Sequence, residues 1–453
     1  MGLLAENGPF FVAAYLGTIR AGLCSVPIPV DCSEATFQRI VTSTGMRCLL
    51  VSARFHSHVQ PWAERVGVEL MVETPASAGE NEHDSAAPAE VDPKDDLAAV
   101  MWTSGSTGEV KGVMVTHHNI RVNTEDILSY TGIGADDRAM TVLPFYYCFG
   151  TSLLHTHLMA GGSLVINNRF MFPEKVLDEM EEKRCTGLAG VPATYQILLR
   201  KTRFAQRPFP ALRWLQQAGG KLPSPLIREI RQALPAVKFF VMYGQTEATA
   251  RLSYLPPERL DDKLGSIGHG LPHTRLEVLC GDGTPVKPGS DEVGEIVASG
   301  ENITRGYWGD AEETGRYFRD GRLYTGDMAR VDADGFLFIV ERARDFIKAM
   351  GYRVSPKEIE EVLAEMPEIV EAAVVGMSDD LWGEAIRAFV VTIRPGQLTA
   401  DDVRAHCLRR LPNYKVPQQV TFLPKLPKTS NGKVDKGALR SMPVMSPLPP
   451  GEG

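Results

Sequence analysis

Thr103-Ser104-Gly105-Ser106-Thr107-Gly108-Glu109-Val110-Lys111-Gly112 packs four hydroxyls, three glycines and one lysine into ten residues. It follows an apolar run of strand character at 97–102. Glycines let backbone N–H groups approach an anion closely, hydroxyls donate to phosphate oxygens, and Lys111 adds a point charge. The stretch reads either as a phosphate cradle or as a plain turn between a strand and a helix. It is not a nucleotide loop of the Walker type, because Lys111 is followed by glycine where that pattern needs Ser or Thr.

Outward from this loop, short strands alternate with helical stretches. Residues 1–20 read as a strand and a helix, and 26–30 and 48–52 as strands. Residues 73–96, rich in Ala, Pro, Glu, Asp and Ser, read as a surface loop. Further strand-like runs fall at 139–143, 162–166, 238–241, 275–278, 294–298 and 336–340. The last closes a hairpin turned at Ala333-Asp334-Gly335. The alternation predicts an α/β fold. Past residue 342 the pattern changes. Ser355-Pro356-Lys357-Glu358 starts a helix to about Met366, Thr399 caps another to about Arg410, and strands are expected at 370–375, 385–393 and 420–423. The expectation is a large multi-subdomain N-terminal domain at 1–341, with β-sheets flanked by helices. A hinge follows at 342–345, then a small mobile C-terminal α+β domain at 346–440 and a disordered tail at 441–453.

Composition narrows the class. Of 453 residues, 43% are apolar and 23% charged, as in ordinary globular proteins and unlike disordered or fibrous chains. The net charge of −8 gives no reason to invoke a nucleic acid. Residues 1–341 hold 32 basic and 42 acidic side chains, whereas 342–440 hold 16 and 13, so the second lobe is basic and suited to an anionic ligand. No apolar run approaches the ~20 residues of a membrane span. Seven cysteines without a Cys-x-x-Cys pair read as buried thiols, not as a disulfide framework or zinc site, and the cytoplasm is the expected compartment.

Four further pieces accompany the loop. Tyr243-Gly244-Gln245-Thr246-Glu247 offers an aromatic for a purine, a hydroxyl for a phosphate and a carboxylate for Mg²⁺. Tyr324-Thr325-Gly326-Asp327 offers a carboxylate on a turn, suited to a ribose diol. Arg342–Lys348 and Lys428–Lys433 place cations in the basic lobe. In this order the pieces resemble the adenylate-forming superfamily: acyl- and aryl-CoA synthetases, adenylation domains of peptide synthetases, and luciferases. The resemblance spans about residues 1–440 and is nearest the acyl-CoA synthetase type.

The resemblance implies an ATP-dependent carboxylate–CoA ligase. A fatty or aryl acid becomes an acyl-adenylate with loss of pyrophosphate, and a thiol then displaces AMP. ATP and CoA would be substrates and Mg²⁺ the cofactor. By the same resemblance Thr103, Ser104, Gly105, Ser106, Thr107, Gly108 and Lys111 would cradle the phosphates. Tyr243 and Gly244 would line the adenine beside Gly219 and Gly220. Thr246 would contact the α-phosphate, Glu247 would bind the metal, and Asp327 and Arg342 would hold the ribose. Lys433 would serve adenylation, Lys348 thioester formation, and Arg344 the hinge. The acyl pocket would be Tyr146, Tyr147, Cys148 and Gly150 with Gly219 and Gly244. No carboxylate in that segment could pair an ammonium group, which argues for an acid without a free α-amine.

The chain departs from the family pattern at four places. Val110 stands where proline is usual, Glu341 where glycine or aspartate precedes Arg342, and Arg344 where aspartate or lysine is common. Residues 1–20 resemble a segment that most relatives precede with several tens of residues. Two alternatives stay open: a ligase that loads a carrier-protein thiol in trans, and a non-catalytic nucleotide-binding relative. His155 and His157, two apart, diverge on a helix and read as structural.

Overall fold

The computed structural model describes residues 1–74, 87–104, 110–340, 346–349, 352–379, 383–428 and 434–443. The chain divides into two compact units, one of residues 1–222 and 227–340, the other of 223–226 and 341–453.

The first unit holds three sheets and a hairpin. A parallel four-stranded sheet runs Val26–Pro27, Gly2–Leu4, Cys48–Val51, Glu69–Val72. Three helices connect its strands, as parallel pairing requires. The central sheet has seven strands in the order His269–Gly270, Ser253–Leu255, Lys238–Tyr243, Trp214–Gln217, Gly187–Gly190, Arg138–Thr141, Ser163–Ile166. Five of them are parallel, and the two at one edge are antiparallel. The third sheet is antiparallel and is built on Thr274–Leu279, Gly294–Gly300 and Arg322–Val331.

Two central strands are absent from the sequence reading. Gly187–Gly190 reads Gly-Leu-Ala-Gly, without β-branched residues. It pairs with Trp214–Gln217, and the Trp214 ring fills the space a side chain at position 187 would need, with a Cβ there only 2.0 Å from it. A second departure concerns the Ser/Thr/Gly loop. Leu97–Ser104 is followed by an antiparallel strand, Val110–Thr116, and only then by the helix His117–Thr131. The loop therefore joins two strands rather than a strand to a helix. Of its residues, 105–109 lie outside the described residues.

The second unit has its own core of Ile347, Val354, Ile359, Leu363, Val374 and Ile386 with their neighbours. Its sheet runs Tyr352–Val354, Ile347–Ala349, Gly383–Thr392, Ile369–Asp379, with Gln419–Phe422 parallel to Gly383–Thr392. Ser355 accepts from the Glu358 N–H to start the helix Pro356–Ala364, which stops two residues before Met366. Where the tail was expected to begin, the buried Arg387 donates to the carbonyls of Met442 and Pro443, both at 3.0 Å. The rest of that tail, and the hinge 342–345, lie outside the described residues.

The seven cysteines form no disulfide among the described residues, and five are half-buried rather than buried. Burial pushes the thiols of Cys24, Cys185 and Cys407 up to about 11. Among the described residues no helix is long and apolar enough to cross a membrane.

The central sheet is stitched at the amino ends of its strands by Asp137. Its carboxylate accepts from Thr186 Oγ1 (2.6 Å), Gly134 N (3.0 Å) and Trp214 Nε1 (3.0 Å), and pairs with Arg213 at 2.7 Å. Burial alone would raise its pKa, but these donors, Thr186 first, outweigh burial and lower it. The folded value is below the unfolded one. The stabilisation is therefore present above the ordinary value of about 4 and is lost as pH falls through the folded value. Asp137→Ala should cost about 2–4 kcal/mol at pH 7, read as a lower urea midpoint. The gap between variant and parent should narrow below about pH 4. A gap independent of pH would show that charge plays no part there.

Candidate functional site

In an open α/β sheet, ligands bind beyond the carboxyl ends of the parallel strands. Three motif segments lie there. Tyr243 ends Lys238–Tyr243, Gly219-Gly220 follows Trp214–Gln217, and 143–150 follows Arg138–Thr141.

The chain from Tyr243 to Arg251 reverses tightly. A Cβ at Gly244 would sit 2.1 Å from the Ala250 carbonyl oxygen, so only glycine fits. Thr246–Ala248 forms one 3₁₀ turn, and Thr249 then takes φ 67° and ψ −57°. Ala250 N donates to Ala248 O at 2.7 Å, a γ-turn that strains a non-glycine residue. Buried partners hold the reversal. Thr249 Oγ1 donates to Asn302 O (2.8 Å), and Asn302 Nδ2 and Asn123 Nδ2 both donate to Arg251 O (2.9 Å each). Thr304 donates to Glu247 O from both its N–H (3.0 Å) and its hydroxyl (2.9 Å).

The reversal brings together groups far apart in sequence. Tyr243 OH donates to Asp327 Oδ2 at 2.8 Å. Asp327 is presented by a bulge within Arg322–Val331 rather than on a free turn: Thr325, Gly326 and Asp327 together oppose the single residue Ile296. Glu247 Oε1 accepts from Tyr307 OH at 2.8 Å. Burial first, then the Glu247 carboxylate, push the Tyr307 phenol far above its ordinary value, so it stays a donor. Lys111 stands over the Tyr307 ring at 5.2 Å and the Tyr317 ring at 5.5 Å, and pairs with Glu313. That hydrogen bond from Lys111 holds the Glu313 carboxyl below its usual range. At the third corner Thr246 Oγ1 reaches Cys148 Sγ at 3.4 Å.

The other sequence-derived residues fall as follows. Thr103 pairs with Lys111 across the hairpin, and the Ser104 backbone pairs with Val110. Gly219 has φ 86°, and Gln217 Nε2 donates to the Gly220 carbonyl at 2.6 Å, which fixes that strip. Tyr146 is buried in a core cluster with Phe11, Phe145 and Tyr307, and its ring meets that of half-buried Tyr147 at 4.7 Å. The open side of Gly150 faces the Pro144 carbonyl, 2.0 Å from where a Cβ would be. Lys348 is exposed on Ile347–Ala349, and its N–H donates to Glu384 Oε2 at 2.6 Å. Gly105, Ser106, Thr107, Gly108, Arg342, Arg344 and Lys433 lie outside the described residues. His155 shares a hydrogen bond with Tyr15 (3.1 Å) and is pushed down to about 4 by burial, while His157 turns to the Leu153 carbonyl (2.9 Å).

Among the described residues no group of three or more His, Cys, Asp or Glu could cage a metal. Glu247, with one oxygen on Tyr307, fits a Mg²⁺ ion that takes one carboxylate and completes its shell with phosphate and water. Tyr307, Glu313 and Asn302 escaped the sequence reading. Asp310 caps the helix Ala311–Tyr317 by accepting from Glu313 N (3.0 Å), a signal that marks Glu313 as a first-turn acid. Nothing local joins it to Lys111.

The chain is similar to known proteins along most of its length. Residues 1–308 match the AMP-binding enzyme family, and 358–433 match the AMP-binding enzyme C-terminal domain. A feruloyl-CoA synthase of Amycolatopsis sp is 33% identical over 442 residues, covering 96% of this chain and 87% of the relative. An indoleacetate–CoA ligase of Aromatoleum aromaticum is 30% identical over 450 residues, covering 97% and 87%. Among solved structures, o-succinylbenzoate CoA synthetase from Bacillus subtilis in complex with its acyl-adenylate superposes with a TM-score of 0.82 at 28% identity, covering 98% of this chain and 88% of that one. The same enzyme has been solved with ATP and magnesium, with a TM-score of 0.80 at 28% identity, covering 96% and 87%.

The Glu313 carboxylate would compete with a phosphate brought to Lys111. Glu313→Gln should therefore lower the KM for ATP by about 2–5-fold, the worth of one partly exposed ion pair. A raised KM in steady-state kinetics would instead make Glu313 the group that aims Lys111.

Proposed function

Because the chain belongs to the AMP-binding enzyme family, we propose that its two units carry out the two half-reactions of an AMP-forming carboxylate–CoA ligase on an aryl or fatty acid. One observation supports this above the others. A single chain reversal holds Tyr243 on Asp327, Glu247 on Tyr307 beside Lys111, and Thr246 on Cys148. Nucleoside, phosphate and acid groups thus have adjacent places.

The chemistry follows from charge. A carboxylate oxygen attacks the α-phosphorus of ATP and pyrophosphate leaves. The thiol of CoA then attacks the acyl carbon and AMP leaves. The first step brings an anion to a polyanion, so the site must neutralise charge and hold the reactants in line. Thr103, Ser104, Ser106, Thr107 and Lys111 take the β- and γ-phosphates. Tyr243 packs on the adenine, and Asp327 and Arg342 bind the ribose. Glu247 holds Mg²⁺, which offsets triphosphate charge when bound. Thr246 orients the α-phosphate beside the acid. Tyr147, Cys148 and the Gly219-Gly220 strip border an acid without a free ammonium. Lys433 bridges carboxylate and α-phosphate in the first step, Lys348 serves the second, and the 346–440 domain turns at Arg344 between them.

Glu247→Gln keeps the shape and removes a charge. It should weaken Mg²⁺-dependent ATP use by about tenfold or more, seen as a raised Mg²⁺ requirement in pyrophosphate release. An unchanged requirement would remove the metal-ligand role.

The two lysines separate the half-reactions. Lys433→Ala should slow adenylate formation by ~10²–10³-fold and spare thioester formation from a supplied acyl-adenylate. Lys348→Ala should do the reverse. Equal loss of both steps in both variants would mean one static site.

A further inference from the structure

The central sheet and the chain reversal beside it carry polar groups that the core leaves unsatisfied. Thr141, Gln216 and Arg251 are each at most 1% exposed. Thr141 Oγ1, both amide atoms of Gln216 and Arg251 Nη2 have no hydrogen-bond partner. Native interiors leave few such atoms, and they do not gather without cause.

These atoms share one face of the sheet. Thr141 pairs with Ala189, Ala189 with Gln216, and Gln216 with Phe240. Residues paired across parallel strands point to the same side, so Thr141 and Gln216 flank the small side chain of Ala189. Met242, two residues beyond Phe240, lies on that face too. Arg251 Nε meets Met242 Sδ at 3.4 Å, and the guanidinium stacks on the Phe149 ring at 4.1 Å. Phe149 follows Cys148, the residue that takes the Thr246 hydroxyl. The unsatisfied strip therefore lies on the acid side of the site, under the helix that begins at Cys148.

Among the described residues no carboxylate lies within ion-pair distance of Arg251. The Tyr130 phenol beside it donates to Met242 Sδ at 3.1 Å and is itself a polar neighbour of the guanidinium, which leaves Nη2 as the Arg251 nitrogen without a partner. Burial lowers the basicity of the guanidinium, yet arginine remains charged in proteins. An aromatic face offsets part of a buried cation but accepts nothing from Nη2 in the plane of the guanidinium. A planar fork of donors matches an oxyanion with paired oxygens.

We propose that Arg251, with Gln216 and Thr141, forms the far end of the acid site and recognises a second oxyanion, a carboxylate or sulfonate, on the acid being activated. This rests on the ligase reading and narrows it, from any fatty or aryl acid to one with an anionic group distal to its reacting carboxyl.

The test uses matched acids. Adipate is compared with hexanoate, and 4-carboxyphenylacetate and 4-sulfophenylacetate with 4-methylphenylacetate, in pyrophosphate release by the parent enzyme, Arg251→Met and Arg251→Lys. A site built to hydrogen-bond an oxyanion rejects the analogue lacking it, so the parent should favour at least one anion-tailed acid by ~10²-fold or more in kcat/KM. Arg251→Met should collapse that ratio by ~10²-fold, and Arg251→Lys should collapse it less. The carboxylate and sulfonate arms tell which oxyanion is preferred. Parent preference for the methyl-tailed acid in both series, or an unchanged ratio in Arg251→Met, would overturn the proposal. Thermal shift without ATP reads binding apart from turnover. The preferred acid should raise the Tm of the parent and not of Arg251→Met, and equal shifts would overturn the proposal. Pyrophosphate release with no acid at all would sink the ligase reading, while the thermal shifts would still decide the anion site.

Discussion

A single buried amide, Asn302, sets the geometry of the site. Its carbonyl, its side-chain oxygen and its side-chain nitrogen are all in use, on Thr249, Thr274 and Arg251 respectively. The reversal it holds is unfavourable by itself. A non-glycine residue at positive φ costs on the order of 1–3 kcal/mol, and each hydrogen bond returns about 0.5–1.5. The bonds from Asn302, Asn123 and Thr304 together can offset that cost. Without them the 3₁₀ turn that carries Thr246 and Glu247 has no fixed relation to the sheet. The strain therefore sits where orientation matters most, one residue after the turn.

From this turn a chain of polar contacts runs outward. Glu247 meets Tyr307, the Tyr307 ring faces Lys111, and Lys111 meets Glu313. Each link comes from a different element, so these charges are positioned by the packing of a hairpin, a loop and a short helix against one another. Low local dielectric strengthens such links when they are satisfied and makes a missing partner costly. The same rule gives the unsatisfied Arg251 nitrogen beside Phe149 its significance.

Much of the fold was readable because hydrophobic period and turn chemistry are local. The strands at 48–52, 238–241 and 294–298 and the Asp-Gly hairpin turn all lie where alternation and glycine indicate. The central strands Gly187–Gly190 and Trp214–Gln217 were not readable. A strand covered on both faces needs no alternation, and glycine at 187 answers to a tryptophan ring from the next strand. The intervening strand Val110–Thr116 was missed because the Ser/Thr/Gly loop resembles a strand-to-helix connection.

By itself the sequence determined the α/β class, the order of the motifs and the residue types suited to nucleotide and acid, since these depend on composition, spacing and short-range chemistry. Only the tertiary structure decided which groups meet. Tyr243 and Asp327 are joined by a bulge in another sheet, Glu247 and Tyr307 by a loop sixty residues on. Arg251 reaches Phe149 and Met242 because Gly244 lets the chain double back against it. Such meetings depend on close packing in three dimensions, and nothing in the residues adjacent to a side chain encodes what will be pressed against it from elsewhere.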